Sequence, residues 1–216
     1  SYAIFFDGNV VYAGGIPLGG AHVTNDIARG LTTSVAQAER LKTLYGNAIL
    51  SPMDDRESID VPQVGEDAPE NSNHIPKSYL IRIIQPRMEE IFEILRARLD
   101  KSGFGDAAGR RVVLTGGASQ LPGARELAQR MLERQVRLGR PLRVARPSTL
   151  STRSGSAFTG LSESTSGPAF ATTAGLLAIA MQPELASTSL STFGARALGG
   201  GGSTLNRIGL WLKQSL

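Results

Sequence analysis

The chain has 216 residues, 41% of them hydrophobic, enough for one or two globular domains with their own cores. Lys and Arg total 23 against 19 Asp and Glu, a formal net charge of +4, which permits an anionic partner without requiring one. Cysteine is absent and histidine occurs only as His22 and His74, so disulfides, thiolate sites and a histidine-rich metal site are not expected. No secretory signal is visible, and no apolar run reaches the roughly 18 residues of a membrane span.

Residues 2 to 6 and 10 to 16 read as two strands joined at Asp7-Gly8-Asn9, a hairpin signal. After the loop Pro17 to Gly20, Val23 and Ile27 mark a short helix ended by Gly30. A second helix begins near Ser34, with the capping pattern Ser34-x-x-Gln37, a stripe of Ala38, Leu41, Tyr45 and Ala48, and Gly46 as its stop. Glu39 and Lys42 are three apart on it, so both reach one side; from spacing alone they form an exposed ion pair.

Residues 51 to 76 are polar and acidic, with Asp54, Asp55, Glu57, Asp60, Glu66, Asp67 and Glu70 read as a solvated face. Short strands are expected at 57 to 61 and 77 to 84. Pro86 is expected to start the longest helix, with Ile84, Met88, Ile91, Leu95 and Leu99 as its stripe, Arg87 just off it and Gly103 past its end.

The stretch VVLTGGASQLPGARELAQRML, from 112 to 132, organises the chain. Val112-Val113-Leu114 reads as a buried strand, Gly116-Gly117 breaks it, and Pro122 fits the first turn of a helix carrying Leu127, Ala128, Met131 and Leu132. A strand–glycine–helix junction at the carboxyl end of a strand is either a ligand site or a structural turn. It has neither the Lys-Ser/Thr of a Walker A loop nor a GxGxxG pattern.

Arg134, Arg137, Arg140, Arg143 and Arg146 follow, with Leu142 to Ala145 read as a strand. No recognition motif or interleaved aromatics accompany them, so no nucleic-acid partner is expected. Gly167-Pro168 opens a helix, Ala169 to Met181, whose small residues on every face imply tight burial. Residues 183 to 203 are a glycine-ended linker with a reach of about 25 Å. The last residues form an amphipathic helix with Leu205, Ile208, Leu212 and Leu216 on one face, Trp211 beside it and Arg207 and Lys213 to either side, suited to a membrane interface.

Four stretches resemble one family in order. They are IPLGGAHVTNDIARGL (16 to 31), AERLKTLYGNA (38 to 48), LTGGASQLPG (114 to 123) and SGPAFATTAGLL (166 to 177). The third looks like the adenosine motif of the actin/Hsp70/sugar-kinase ATPase superfamily, and together they are similar to the bacterial FtsA family, from Ser1 to about Met181 and again at the last dozen residues. The resemblance implies an α/β actin-like (ribonuclease H-like) fold, its second lobe plus the helix returning to the first, within the C-terminal portion of a longer protein. Residues 1–24 and 86–163 would form the core subdomain, 25–85 an inserted subdomain, 164–182 the connecting helix, 183–203 the linker and 204–216 a membrane-targeting helix.

It also implies ATP as ligand, with Mg2+ carried on the phosphates, held by Gly116, Gly117 and Ala118 with Glu39 on the ribose and Lys42 along the base or at a phosphate. Arg87 and Asn47 would line a groove for the FtsZ C-terminal peptide. The further partners implied are other divisome proteins, copies of itself in filaments, and anionic lipids at the cytoplasmic face of the inner membrane, at the septum. No catalytic residue is expected here, because the superfamily's phosphate turns would lie upstream. The rivals on the same fold are a sugar-kinase-like or Hsp70-like ATPase and a pilus-assembly relative.

Overall fold

The structure, a computed structural model, describes residues 1–64, 73–104, 109, 111–141 and 167–180. The expected strand at 142 to 145, the linker at 183 to 203 and the terminal helix at 204 to 216 lie outside these residues. Packing divides the chain into two compact units, 1–142 with 160–172, and 143–159 with 173–216. Of the second, only residues 173–180 are described.

The hairpin is β1 (Tyr2–Phe6) and β2 (Asn9–Gly14), antiparallel with Phe6 opposite Asn9. Asp7 and Gly8 both take positive φ, 48° and 75°, which matches a two-residue turn to the right-handed twist of its strands. A side chain at Gly14 would meet the Tyr2 ring at 2.6 Å, so β2 ends where that ring covers it.

Helix α1 (Gly20–Gly30) buries Val23, Thr24 and Ile27. Its His22 Nδ1 accepts from the Gly19 N–H at 3.2 Å, satisfying a donor at the helix start. Helix α2 (Val35–Tyr45) begins as its capping pattern predicts, with Ser34 Oγ accepting from the Gln37 N–H at 3.3 Å, and stops at Gly46. Ala38 and Leu41 are buried, but Tyr45 is exposed and Ala48 is buried only after the helix has ended. The Ala48 N–H then bonds the Pro122 carbonyl at 2.8 Å.

The acidic stretch is not simply a solvated face. Asp54 is buried and accepts from the Ser51 N–H at 2.7 Å, Glu57 takes the Lys77 ammonium at 2.7 Å, and Asp60 pairs with His74. Glu66, Asp67 and Glu70 lie outside the described residues. Two strands, β3 (Ser58–Val61) and β4 (Asn73–Pro76), pair antiparallel and place Asp60 opposite His74.

Residues 77 to 84 are helix, not strand. They form the first two turns of α3 (Lys77–Lys101), with Pro86 inside it rather than at its start. The β-branched run Ile81 to Ile84 suggested extension, but Leu80, Ile84 and Met88 recur every four residues and are all buried. That stripe continues through the proline, and tertiary packing overrides local preference. Phe92, which the expected stripe omitted, is also buried, and Ile91 and Leu95 pack at its margin. The expected subdomain limit at 85/86 falls inside this continuous helix.

Strand β5 (Arg111–Leu114) leads through a 3-10 turn, Gly117–Gln120, into α4 (Ala124–Leu132) and then β6 (Gln135–Leu138), which pairs with β5 in parallel. Pro122 therefore precedes the helix, whose N-cap is Gly123 in the left-handed region at φ 77°. Sequence reading places no strand at 135 to 138: Gln135-Val136-Arg137-Leu138 does alternate polar and apolar, but over four residues only, inside a stretch read as a run of arginines. The side chains of Val112, Leu114 and Val136 turn to the core, while Arg111, Gln135 and Arg137 are exposed.

One core joins these elements. Val23, Ile27, Leu41, Leu80, Ile84, Met88, Phe92 and Leu127 are buried together between α1, α2, α3 and α4, with Ile59 and Val61 of β3 beneath. Burying each leucine- or isoleucine-sized side chain contributes about 1.5–3 kcal/mol, so this cluster is what holds α1 and α2 over the β5–α4 junction. The result is a mixed α/β arrangement with three two-stranded sheets among the described residues.

A short 3-10 turn, Pro168–Phe170, opens α5 (Ala171–Ala180). The expected tight burial on every face is not met: Ala174 is buried but Leu176 and Leu177 are exposed. A helix apolar all round has no polar side to turn outward, so its leucines show wherever cover is lacking.

Candidate functional site

A cavity of about 650 Å³ lies where α1, α2 and the β5–α4 junction meet. Its size falls within the range of ordinary small-molecule sites, roughly 300–1,000 Å³. Glu39 and Lys42 of α2, and Gly117 and Ala118 of the 3-10 turn, all line it, as do Gly20 and Ala21 at the start of α1. Residues 39 and 42 are thus brought together with 117 and 118.

The glycine turn is built so that its backbone can be approached. Gly116 holds φ 92°, where any side chain is strained. Its N–H is already used, donating to the Pro168 carbonyl at 3.0 Å, and Thr115 Oγ1 reaches the same carbonyl at 3.2 Å. Gly116 thus anchors the turn from one residue behind the wall formed by Gly117 and Ala118. A Cβ on Gly117 would meet nothing within 4 Å, so open space lies over it. Gly20 is needed for the opposite reason. A Cβ there would stand 3.0 Å from that of Ala118, so its absence lets α1 close against the turn.

Lys42 and Glu39 are more than an exposed pair. The Lys42 side chain is 14% exposed and that of Glu39 is 55% exposed. Lys42 Nζ donates to Glu39 Oε2 at 2.6 Å, Thr24 Oγ1 at 2.7 Å and the Gly20 carbonyl at 3.3 Å. An ammonium has three N–H donors, and here all three have acceptors. Lys42 is therefore not free to reach a phosphate without giving up one of these bonds. Thr24 Oγ1 also hydrogen-bonds Glu39 Oε2. The bonds from Lys42 and Thr24 hold the Glu39 carboxyl below its ordinary 4.5. Both fall on Oε2, which leaves Oε1 as the acceptor for a ligand.

Arg87 and Asn47 are placed differently. Arg87 lies in mid-α3 and grips Asp26 of α1 with two nitrogens, Nε to Oδ2 at 2.5 Å and Nη2 to Oδ1 at 3.2 Å, while Nη1 bonds Glu90. Its guanidinium is held further toward the charged form by Asp26. Asn47 Oδ1 accepts from the Ile49 N–H at 3.0 Å and packs where a Cβ on Gly123 would lie only 2.4 Å away. The described contacts of Arg87 and of Asn47 share no residue. Leu205, Arg207, Ile208, Trp211, Leu212, Lys213 and Leu216 lie outside the described residues.

A model of the family described as "Cell division protein FtsA" matches residues 1–175. The chain belongs to the FtsA family. It is 41% identical over 215 residues to the cell division protein FtsA of Rhizobium meliloti (strain 1021), covering 99% of this chain and 45% of that protein. It is 34% identical over 193 residues to FtsA of Pseudomonas aeruginosa, covering 89% and 42%, and 30% identical over 218 residues to FtsA of Escherichia coli (strain K12), covering 94% and 47%. The chain thus spans about half the length of the curated relatives it matches. FtsA membership carries an actin-like ATPase fold with it and sets aside the kinase-like, Hsp70-like and pilus-assembly rivals.

Sequence reading missed Thr24 and Gly20 as parts of this site. Both stand in IPLGGAHVTNDIARGL, quoted only for its likeness to the family. The signal was a threonine beside the buried face of an amphipathic helix, where a hydroxyl needs an internal partner.

Proposed function

We propose that this chain holds the nucleoside end of ATP in an actin-like cell-division protein that tethers FtsZ filaments to the bacterial inner membrane. The observation that carries the nucleotide reading is the convergence of Glu39, Lys42, Gly117 and Ala118 on one cavity of about 650 Å³. Bare backbone at Gly117 and a lone methyl at Ala118 leave room for a base. Glu39 Oε1 offers an acceptor for ribose hydroxyls, while Lys42 fixes Glu39 rather than reaching for a phosphate. When bound, ATP would supply the phosphates that carry Mg2+.

The test replaces Gly117 by Leu in a protein of full family length. Its backbone is not in the left-handed region and its Cβ direction is open, so the added side chain enters the cavity without strain. ATP affinity should fall by roughly a hundredfold, as a blocked site of about 3 kcal/mol would. Unchanged affinity rejects the site.

The tether reading rests on the family and on the sequence of 204–216, with its apolar face, Trp211 and flanking cations. Binding to anionic lipids should be weak per chain and strengthened by self-association into filaments. Location at the cytoplasmic face of the septal membrane, and contact with the FtsZ peptide and other divisome proteins, follow from the same reading. Deleting 204–216 should abolish co-sedimentation with liposomes.

A further inference from the structure

Thr24 does not line the cavity, yet its side chain is the one on which two of the lining residues, Glu39 and Lys42, lean. It is 3% exposed, in the first turns of α1. Its single hydroxyl has three polar neighbours: Lys42 Nζ at 2.7 Å, Glu39 Oε2, and the Gly20 carbonyl at 3.0 Å. Lys42 can only donate, so Thr24 accepts from it. That leaves one proton for two acceptors. The carboxylate is charged and lies nearer than the carbonyl, so the proton goes to Glu39. Thr24 is thereby a relay, receiving from the cation and giving to the anion.

The consequence falls on Glu39. Its side chain is 55% exposed, and a glutamate so exposed ordinarily samples many rotamers. Here Oε2 is held by Thr24 from α1 and by Lys42 from α2, so two separate helices fix the carboxylate. A β-branched threonine restricted at χ1 holds its end of this contact in place. We propose that Thr24 is a positioning residue that aims the free oxygen of Glu39 at the hydroxyls of a ribose, and so makes the cavity selective for a nucleotide bearing them. This rests on reading the cavity as a nucleoside site.

Two variants test it in a protein of full family length. Thr24→Val keeps the shape and removes the hydroxyl; Thr24→Ser restores the hydroxyl with less bulk. Without nucleotide, the Glu39 carboxyl is titrated by carbon-13 NMR. Its midpoint should rise toward the ordinary glutamate value in Thr24→Val and stay low in Thr24→Ser. No movement in the valine variant overturns the positioning role.

With nucleotide, affinities are measured for ATP and for 2′,3′-dideoxy-ATP. Thr24→Val should weaken ATP about tenfold, equivalent to about 1.4 kcal/mol, and leave the dideoxy analogue within about twofold; Thr24→Ser should recover ATP. Equal loss for both analogues would show that Thr24 only supports the fold and would overturn the proposal. If the unmodified protein binds neither analogue, the cavity is not a nucleoside site and the ribose selectivity falls with it. The titration then decides by itself whether Thr24 sets Glu39.

Discussion

Two charged groups drew attention in the sequence for the same reason, a cation placed to meet a ligand, and they end up in opposite conditions. On α2, Lys42 is satisfied internally, and its bonds pin one oxygen of Glu39 while leaving the other for a partner in a cavity. On α3, Arg87 pairs internally with Asp26 and Glu90, and the bonds to Asp26 rivet α1 to α3. The difference lies in what the pairing leaves over. In the first group an acceptor remains beside empty space. In the second, three of the five guanidinium N–H donors already bind Asp26 and Glu90, so an acidic peptide must share the fork with the fold's own acids.

The sharpest way to break this comparison is Arg87→Glu. It sets a third carboxylate beside Asp26 and Glu90, so it should cost about 2–4 kcal/mol in chemical denaturation, well beyond a surface substitution. Weakened binding of the FtsZ tail peptide by this variant must therefore be read beside its unfolding curve. Full stability would show that the Asp26 and Glu90 contacts contribute little, and would return Arg87 to the class of free surface arginines.

A smaller effect is expected at Asn47, the other residue the resemblance assigned to that groove. Asn47→Ala leaves the Ile49 N–H without its partner and should cost about 1 kcal/mol, seen as an earlier urea midpoint. A stability-neutral change together with lost peptide binding would place Asn47 in the groove instead.

The smallest effect concerns the first group, and its sign follows from Glu39. Its folded-state carboxyl titrates below the ordinary 4.5, so its contribution to stability is complete above that value. It is lost as pH falls through the lowered folded-state value. Glu39→Gln should flatten the fall in melting temperature between pH 5 and pH 3, and a parallel curve would mean the contact is screened away.

Much of the framework could be read from residues. The Ser34 cap, the Gly46 stop, the Asp7-Gly8 turn and the strand–glycine–helix order at 112 to 132 depend on local chemistry, and local chemistry is what a sequence displays. What escaped depended on distant partners. The start of α3 looked like a strand because its isoleucines favour extension, and only the core beneath Leu80, Ile84 and Met88 decides for helix. β6 escaped because its alternation lasts only four residues within a run of arginines, and its parallel partner β5 lies far back in the chain. Family resemblance names Glu39, Lys42, Gly116, Gly117 and Ala118 as a group; all but Gly116 line one cavity, and Gly116 stands one residue behind its wall. For Thr24 the one local mark is its place on the buried side of α1, and the two charged groups it meets come from α2.

Pro86 interrupts the hydrogen-bond ladder of α3. It is exposed, and so is Arg82, whose carbonyl would have received the missing N–H one turn earlier. The gap in the ladder therefore opens toward water, which can fill it at little cost. Shifted two residues along, to Met88, the same gap would open into the core. The longest helix among the described residues, about 37 Å at 1.5 Å per residue, thus carries its one missing N–H on its wet side. The helix touches β4 as well as α4, and its buried stripe continues past the proline.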